Sequence, residues 1–449
     1  MELLDKSFYY KWKLLWYDSI KDRDMPFNRD RVKGVLLEQL KKLGSIDLGV
    51  LRDDLNFIKT QLDSPFIVAI TGLRRVGKST FLAQIAKQFY KQDDYYYINF
   101  DDDVFWDFKV PDFRDLEEIL LELFGERRIF LFDEIQNIYG WETFVRRLLD
   151  QGKKIYVTGS NSSLFSKEFG TRLTGRNLPI EMFPFSFKEF LRFWDVSYEK
   201  QSGAYDTVTR ASLKKHFQNY MKLGGIAQAL RYPELEIHKN IYENSIYKDV
   251  IARYNINSDK AVRDLTYFLF SNISAPISFN KLKAHIHVKN VTTVKNYIDY
   301  LEQAWLLFTV NSYAASIKKQ QIAPKKIYAT DTGMVNQVAF AVSDNYGPTL
   351  ENIVFLALRK RGEDIFYYKS EKGYEVDFYL RRTGELYQAC WDISDHKTRE
   401  REVRALIAAQ SELKAKELYI ISFDIKEEIV IGKNLIKVIP VWEWLLEKC

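Results

Sequence analysis

The spacing of hydrophobic residues changes along the chain, and its clearest pattern runs from residue 66 to about residue 190. There, short apolar runs alternate with amphipathic stretches, and the runs are FIVAITG, YYYINF, RIFLFDE and KIYVTGS. This alternation is typical of βαβ units, in which a buried strand is followed by a helix that covers the sheet. The pattern therefore predicts an α/β fold built on a parallel sheet.

The flanking regions have helical or mixed patterns. Heptad-like spacing in VKGVLLEQLKKL and LGVLRDDLNFIKTQL predicts helices before the sheet, and a helical pattern returns at 205–255. From 261 to 313 the order helix, short helix, helix, strand favours a winged helix. The last block combines a helix with the strands IFYYKS, EVDFYLRR, ELYQACWD and ELYIISF. The predicted units are a helical N-terminal segment (1–60), an α/β core (61–195), a helical lid (196–257), a winged helix (258–335) and an α/β C-terminal domain (336–449).

The composition is consistent with several folded domains, and it excludes proteins built on disulfides or on CxxC-type zinc sites. The 449 residues are 46% hydrophobic, which is enough apolar material for more than one core. The net charge of +5 is a small difference between 66 basic and 61 acidic residues, so it permits contact with nucleic acid without arguing for it. Two cysteines exclude a disulfide framework and a CxxC-type zinc site. No apolar run approaches ~18 residues and no signal-peptide pattern is visible, so we expect a cytoplasmic protein without a membrane span.

The first motif that carries chemistry follows the strand FIVAI. Residues 72–79 read GLRRVGKS, which fits the phosphate-binding loop G-x-x-x-x-G-K-[ST], and an amphipathic helical pattern follows. Glycines let backbone N–H groups turn toward phosphate oxygens at the positive end of a helix. The loop lysine is expected to reach the β- and γ-phosphates of ATP, and the following serine to ligate Mg²⁺. The predicted nucleotide-binding residues are Gly72, Arg74, Arg75, Val76, Gly77, Lys78, Ser79 and Thr80.

The second motif is an acidic pair at the end of a buried strand. In RIFLFDE, four apolar residues precede Asp133 and Glu134. Ligands of open α/β sheets bind at the carboxyl ends of the strands, so the pair is expected beside the phosphate-binding loop. We predict that Asp133 holds Mg²⁺ together with Ser79, and that Glu134 polarises the attacking water.

Two later segments contain candidates for reading the γ-phosphate and completing its charge. The strand KIYVTG is followed by Ser160 and Asn161. We predict that Asn161 contacts the γ-phosphate or positions the attacking water. Ser160 is the second candidate for this role. The alternative without a catalytic role is that these residues only form a polar turn. Arg172 and Arg176 in TRLTGR are candidates to place positive charge against the transferring phosphoryl group. The sequence leaves open whether such an arginine acts in its own subunit, in a neighbouring one, or only at the surface.

The order of these motifs resembles a known family. GLRRVGKST, YYINFDDD, FLFDEIQNIYGWETFVRRLLD, VTGSNSSLFSKEFGTRLTGR and PFSFKEF are similar to segments of archaeal and bacterial AAA-superfamily ATPases. In that family a winged helix and a DUF4143-type domain, related to PD-(D/E)xK nucleases, follow the ATPase domain. LGGIAQAL and KKIYATDTGM resemble two further landmarks of the family. The resemblance covers most of the chain and implies a RecA-like P-loop core with Glu134, Asn161 and Arg176 as catalytic residues.

The resemblance also implies a nuclease-like site in the last domain, from which the sequence departs. Nucleases of that fold gather one or two Mg²⁺ ions with an acidic residue on a helix, an aspartate at a strand end and an E-x-K on the next strand. Glu351 and Asp377 match the first two positions, but Gln388 and Cys390 stand at the E-x-K position. One carboxylate and the lysine are replaced, so we expect a degenerate site that does not cleave nucleic acid.

The winged-helix pattern supplies candidate DNA contacts. Its third helix is predicted to begin near Val291, and its exposed face carries side chains that can touch phosphates or base edges: Thr292, Thr293, Lys295 and Asn296. A downstream group of lysines could add phosphate contacts: Lys318, Lys319, Lys325 and Lys326. The alternative is a docking module whose lysines are only solvated.

Three functions remain open from the sequence. The leading one is Mg²⁺-dependent ATP hydrolysis that drives a conformational change, with DNA as a candidate partner and a homo-oligomer as a candidate assembly. The second is a regulatory switch or scaffold that hydrolyses ATP slowly and signals through its bound nucleotide. The third is an ATP-dependent nuclease, and the replacements at Gln388 and Cys390 argue against it.

Overall fold

The computed structural model of the chain describes residues 28–160, 175–199, 204–314, 316–339 and 346–448. Helices and strands are numbered within these ranges. In the described part of the chain, no helix combines the length and the apolar character needed to cross a membrane.

The first domain contains a five-stranded parallel sheet. Its strands are β1 (Ile67–Gly72), β2 (Tyr95–Asn99), β3 (Ile129–Asp133), β4 (Lys154–Gly159) and β5 (Asn177–Met182). In space their order is β2-β3-β4-β1-β5, and all neighbours are parallel. The four predicted strands are confirmed. The fifth lacks a continuous apolar run because Pro179 interrupts it, and proline is tolerated here because β5 lies at the sheet edge.

Both faces of this sheet are buried. Along β1, Val68 and Ile70 pack into one core, while Ile67 and Ala69 pack into another. The helices of this domain are α1 (Arg29–Ser45), α2 (Leu55–Thr60), α3 (Lys78–Phe89), α4 (Asp112–Phe124), α5 (Trp141–Asp150) and α6 (Phe187–Phe193). A parallel sheet that helices cover on both faces explains why the strands read as continuous apolar runs. The predicted α/β class, with the P-loop NTPase arrangement of strands, is confirmed.

Of the predicted helical segment 1–60, residues 1–27 lie outside the described part of the chain, and residues 28–60 are helical only in part. The prediction of a helix through LGVLRDDLNFIKTQL is wrong for its first half, because only α2 is helical there. The Gln84 side chain donates to the backbone carbonyls of Leu48 and Val50, at 2.8 and 2.9 Å. These bonds hold the residues between α1 and α2 as a loop against α3, and tertiary contacts thus override the local helical pattern.

The region predicted to be a helical lid is helical, and a small mixed unit follows it; we keep the name lid for these helices. The lid contains α7 (Thr207–Leu223), α8 (Ala227–Arg231), α9 (Ile237–Asn244) and a π-helix (Ser245–Ala252). The mixed unit contains α10 (Asp259–Ser271), β6 (Pro276–Ile277), α11 (Phe279–His285), α12 (Val291–Gln303), β7 (Leu307–Val310), α13 (Ile317–Ile322), β8 (Lys325–Ala329) and α14 (Thr332–Val338). Its three strands form an antiparallel sheet in the order β6-β8-β7. The predicted third helix of this unit, beginning at Val291, is confirmed.

The C-terminal domain is a second α/β unit with a mixed sheet. Its elements are α15 (Tyr346–Lys360), β9 (Ile365–Lys369), β10 (Glu375–Leu380), β11 (Glu385–Cys390), α16 (His396–Leu413), β12 (Glu417–Ser422), β13 (Glu427–Ile431), β14 (Asn434–Pro440) and α17 (Val441–Lys448). The strand order is β13-β14-β12-β11-β10-β9. The four strands predicted from the sequence here, β9 to β12, are confirmed.

Candidate nucleotide site and a second acidic site

The backbone between β1 and α3 requires both glycines of the predicted phosphate-binding loop. A Cβ atom at Gly72 would lie 2.3 Å from the carbonyl oxygen of Met182, so no side chain fits there. Gly77 precedes α3 with a φ of 102°, a conformation that favours glycine. The chain can therefore turn sharply from the strand into the helix, and the first turn of α3 lines a cavity.

Lys78 and Ser79 lie in this first turn. The buried ammonium of Lys78 donates to the backbone carbonyls of Gly72 and Leu73, both at 3.2 Å. The same ammonium is 3.6 Å from Oε1 of Glu134. The Ser79 hydroxyl lies close enough to the carboxylate of Asp133 to lower its pKa. The loop cation, the loop hydroxyl and the acidic pair thus meet at one edge of the sheet, as the sequence predicts.

Asp133 ends β3 and is completely buried. Its Oδ1 accepts a hydrogen bond from Thr158 at 2.5 Å, and its Oδ2 accepts one from Tyr97 at 3.1 Å. Burial raises the pKa of Asp133 and the charge of Glu134 raises it further, while the hydrogen bonds from Thr158 and Ser79 oppose the shift. A carboxylate held beside the loop hydroxyl is the pair of oxygen ligands that Mg²⁺ takes in P-loop proteins, so these residues fit that ion.

Glu134 has a different environment from its neighbour. Its backbone is left-handed, with φ 51° and ψ 40°, and its N–H donates to Thr158 at 2.9 Å. Its Oε2 accepts a hydrogen bond from Gln136 at 2.5 Å, and its side chain lines the cavity. A strained, non-glycine conformation at this position is typical of functional sites.

The cavity measures about 850 Å³ and lies between the loop and the helical lid. This volume is in the range of small-molecule and cofactor sites. Arg74 of the loop forms a bidentate ion pair with Asp249 of the π-helix, with N–O distances of 2.7 and 3.0 Å. Arg75 lies 3.5 Å from Gln228 of α8. Two loop arginines therefore connect the loop to the lid.

Sequence reasoning missed the lid residues and one acidic residue of this site. Asp101 lines the cavity, and burial together with the nearby charge of Glu134 raises its pKa. Its position after the strand YYYINF, at the same sheet edge as Asp133, was a signal that could have found it. Gln228, Lys248 and Asp249 follow from the tertiary fold alone, because no local pattern shows that the lid packs over the loop.

Of the predicted sensing residues, Asn161 and Arg172 lie outside the described part of the chain. Ser160 follows β4 and lines the cavity. Arg176 does not reach it. The Arg176 carbonyl accepts from the N–H of Ile67 at the start of β1, and its guanidinium pairs with Asp150 at 3.0 Å. Arg176 therefore lies where β1 begins, whereas the loop follows the end of β1, roughly 17 Å away along the strand.

The nuclease-like residues of the C-terminal domain converge, but they surround a lysine. Glu351 on α15 and Asp377 on β10 approach each other, and Glu375 joins them from the same strand. The Lys326 ammonium, from β8, lies 3.0, 2.9 and 3.0 Å from Glu351, Glu375 and Asp377. The prediction of Lys326 as a surface contact for phosphate is wrong, since the residue is only 2% exposed. Strand geometry turns it inward, toward the carboxylates.

Gln388 and Cys390 do not restore the missing groups. Gln388 accepts from the Asp377 N–H at 3.2 Å and donates to Glu402 at 2.5 Å. The Cys390 thiol donates to the carbonyl of Asp392 at 3.4 Å, and burial raises its pKa to about 12. The site contains one carboxylate more than the sequence predicts, because the spacing of E-V-D places Glu375 and Asp377 on the same side of β10.

The residues predicted to contact DNA on α12 are accessible. Thr292, Lys295 and Asn296 are exposed and Thr293 is partly exposed. The Lys295 ammonium lies 5.5 Å from the centre of the Phe279 ring. Lys318 and Lys319 of α13 are also exposed, and Lys325 is partly exposed.

Comparison with known proteins identifies three matched regions. A family described as an AAA domain matches residues 64–191. Two families described as domains of unknown function, DUF8612 and DUF4143, match residues 214–345 and 346–444. The AAA match contains the phosphate-binding loop and the acidic pair.

Among solved structures, the chain is similar to the replication initiator DnaA bound to AMPPCP and single-stranded DNA, with 16% identity and a TM-score of 0.26 over 58% of this chain and 91% of that one. It is also similar to the Aeropyrum pernix ORC1 protein in complex with DNA, with 12% identity and a TM-score of 0.30 over 70% of this chain and 93% of that one. Similarity at these TM-scores transfers no property to this chain.

Similar sequences extend across most of the chain. The uncharacterized protein MJ1544 of Methanocaldococcus jannaschii is 36% identical over 399 residues, which are 85% of this chain and 88% of that protein. An uncharacterized protein of Haemophilus influenzae is 29% identical over 72% of this chain and 82% of its own length. The chain is therefore an AAA-domain protein with a C-terminal DUF4143 domain, and it belongs to the same family as MJ1544.

Proposed function

We propose that this protein binds ATP with Mg²⁺ and hydrolyses it to drive a conformational change. The observation that carries the proposal is the arrangement of Lys78, Ser79 and Glu134 along one cavity, with the buried carboxylate of Asp133 directly behind them. A phosphate-binding loop without an acidic pair would support binding alone. A carboxylate that lines the cavity 3.6 Å from the loop cation supports hydrolysis as well.

Each residue has a role that follows from its position. Lys78 places its ammonium against the β- and γ-phosphates, exchanging the carbonyls of Gly72 and Leu73 for phosphate oxygens. Ser79 and Asp133 would hold Mg²⁺, which neutralises charge on the phosphates. Glu134, which reaches the cavity, accepts a proton from the attacking water. The carboxylate of Asp133 is too deeply buried for that second role.

The lid is the element that hydrolysis is proposed to move. Nucleotide in the cavity would lie between the loop and the lid, and these two walls are already connected by the contacts of Arg74 with Asp249 of the π-helix and of Arg75 with Gln228 of α8. Loss of the γ-phosphate changes the charge that faces these arginines, so the lid can respond to the state of the nucleotide.

The residues directly before α8 contact the segment that follows β8. The N–H of Gly225 donates to Asp331 at 2.7 Å, and a Cβ atom at Gly224 would lie 2.3 Å from the same carboxylate. These contacts join LGGIAQAL to KKIYATDTGM, the two further segments that resemble family landmarks. A movement of the lid is therefore proposed to reach the strand β8, which directly precedes Asp331 in the chain.

Arg176 is proposed to act on the nucleotide of a neighbouring copy. Its distance from its own loop leaves no contribution within one chain. An arginine supplied by a second subunit is an established way to complete the charge around a transferring phosphoryl group. This proposal requires self-association in the active state.

The test is the release of inorganic phosphate from ATP by purified wild type, Glu134→Gln and Glu234→Gln. Glu234 is an exposed lid residue, so its variant controls for the loss of one negative charge. Glu134→Gln should still bind ATP and lose turnover by ~10²–10⁴. Near-normal turnover in Glu134→Gln would contradict the assigned role. Slow wild-type turnover together with tight nucleotide binding would favour the regulatory switch instead.

A second proposed function is DNA contact through the exposed face of α12. The predicted winged helix supports this proposal. In such domains the third helix is the recognition helix, and its accessible polar side chains contact DNA. The test is fluorescence anisotropy of labelled double-stranded DNA at several salt concentrations, with Lys295→Ala compared with Lys433→Ala as a distant control. Salt-dependent binding that Lys295→Ala weakens would support the contact. Equal affinities for both variants would favour a docking module.

A further inference from the structure

The acidic site of the C-terminal domain has a cation that belongs to the chain itself. The ammonium of Lys326 contacts three carboxylates, those of Glu351, Glu375 and Asp377, at 2.9 to 3.0 Å. Tyr328, two residues along β8, donates to the same oxygen of Glu351 at 2.7 Å. We call Lys326 and the three carboxyl side chains around it the lysine cage.

The cage joins two parts of the chain. Lys326 lies on β8 of the three-stranded sheet, whereas all three carboxylates come from α15 and β10 of the C-terminal domain. Next to the cage, the Asn352 side chain donates to the carbonyl of Ala329 at 2.9 Å and accepts from its N–H at 2.7 Å. β8 is thereby attached to α15 by a pair of hydrogen bonds on one side and by the ammonium on the other. The lysine cannot withdraw without breaking this junction.

The geometry suits an ammonium and does not suit a divalent ion. Distances of 2.9 to 3.0 Å are those of charged N–H···O bonds. Mg²⁺ requires oxygens at about 2.0–2.1 Å and Ca²⁺ at about 2.3–2.6 Å, so the carboxylates would have to close in on a smaller centre. No cluster of three or more His, Cys, Asp or Glu side chains suited to a metal was found among the residues described.

Two residues at the cage, Asp377 and Gln388, have further hydrogen-bond partners. The second oxygen of Asp377 accepts from the N–H of Ala389 at 3.0 Å. Gln388 is engaged by the Asp377 N–H and by Glu402. The residues present therefore do not fit the metal ion that a nuclease-like fold implies.

We propose that Lys326 replaces the divalent cation of this nuclease-like site and thereby locks the C-terminal domain to β8. The wild-type domain then has no use for a metal ion, and it acts as a fixed structural partner of the preceding unit. Removal of the ammonium leaves three converging carboxylates, which are the ligands that hard divalent cations take. The proposal is independent of ATP hydrolysis.

The experiment compares full-length wild type, Lys326→Ala and Lys325→Ala without nucleotide. Lys325 is the neighbouring residue on β8, and its ammonium is not part of the cage. Thermal unfolding is followed in EDTA and then with rising concentrations of MnCl₂ or CaCl₂. Lys326→Ala should unfold at a lower temperature than the other two in EDTA. Divalent cation should then raise its midpoint saturably by roughly 2–4 °C, with no such rise in wild type or Lys325→Ala.

Further variants make each outcome decisive. Addition of Asp377→Asn to Lys326→Ala should abolish the gain, because one ligand of the new site is lost. If Lys326→Ala does not fold, Lys326→Gln, which keeps a hydrogen-bond donor and removes the charge, should show the same gain. A folded Lys326 variant that gains no response to cations would overturn the proposal. Mn²⁺ binding by wild type that Asp377→Asn abolishes would also overturn it, since the metal would then share the site with the lysine.

Discussion

Acidic side chains of each α/β domain lie beside a buried lysine, Lys78 from the first domain itself and Lys326 from the middle sheet, but only the first of these two sites is open. Lys78 donates to two backbone carbonyls, lies 3.6 Å from Glu134, and borders a cavity of about 850 Å³. Lys326 contacts three carboxylates at 3.0 Å or less and is 2% exposed. The first ammonium has weak partners that a phosphate can replace, whereas the second is enclosed by three carboxyl groups.

The difference lies in where each lysine is attached. Lys78 belongs to a loop and a helix start, whose backbone N–H groups are available to an anion. Lys326 belongs to the middle sheet and reaches across a domain boundary. Its ammonium is therefore engaged by carboxyl groups of the neighbouring unit. The same residue type is thus proposed to bind a ligand in one domain and to attach two units at the other. This contrast explains why a nuclease-like arrangement of carboxylates need not imply a metal site.

The largest expected effect tests whether the open site is completed by another copy. Arg176→Ala should bind ATP normally and lose turnover by about 10³-fold, as expected when an arginine supplied across an interface is removed. Arg176→Ala and Glu134→Gln are then mixed. Each should be nearly inactive alone, and the mixture should exceed their sum, because Glu134→Gln subunits still provide Arg176 to intact sites. Phosphate release and mass photometry are the measurements.

The control for this experiment is Arg381→Ala, which removes an exposed arginine of the C-terminal domain that pairs with Asp364. Its turnover should equal that of wild type. Unchanged turnover in Arg176→Ala would remove the arginine from the mechanism. A loss of folded protein would make it structural, through its ion pair with Asp150.

One substitution at each lysine tests whether Lys326 stabilises the fold and Lys78 binds the nucleotide. Lys326→Met should lower the free energy of unfolding by about 3–5 kcal/mol, because it leaves buried carboxylates without their partner, and it should leave ATP affinity unchanged. Lys78→Met should do the reverse. It should weaken ATP binding by roughly 10–100-fold, since a charged hydrogen bond contributes about 1.5–3 kcal/mol, and change stability little.

Urea unfolding and nucleotide titration of both variants measure this pair of effects. Equal losses of stability in the two variants would contradict the distinction between an open and a closed site. Retained ATP affinity in Lys78→Met would show that backbone N–H groups alone hold the phosphates.

The smallest effect concerns pH. Burial, reinforced by the nearby Asp377 charge, raises the pKa of Glu351 from 4.5 to about 8. Between these values the folded protein keeps a proton that the unfolded chain releases, so the contribution of Glu351 to stability is complete below pH 4.5 and decreases as pH rises toward 8. The slope is at most about 1.4 kcal/mol per pH unit. Glu351→Gln should remove this part of the pH dependence.

Urea unfolding of wild type, Glu351→Gln and Glu234→Gln between about pH 5 and pH 8.5 provides the measurement. Wild type and Glu234→Gln should lose stability with rising pH more steeply than Glu351→Gln. Parallel curves for all three would mean that the proton is not held at Glu351.

The sequence by itself determined the parallel sheet, the phosphate-binding loop and the acidic pair. These features are local: buried strands produce continuous apolar runs, and the loop needs Gly72, Gly77, Lys78 and Ser79 within one short segment. The carboxyl ends of parallel strands share one edge, so Asp133 and Glu134 could be placed beside the loop without coordinates. The fold class and the centre of the candidate nucleotide site followed from these rules.

Only the tertiary structure decided which distant residues meet. The Asp249 contact with Arg74 spans 175 positions of sequence, and no periodicity predicts it. The loop between α1 and α2 is non-helical because Gln84 binds its carbonyls. The sequence predicts Lys326 to be one of several surface lysines, but the packing of β8 against α15 and β10 buries it. Side-chain charge is a property of the sequence, but its partners and its burial are set by packing between elements, and these determine whether a lysine binds a ligand or replaces one.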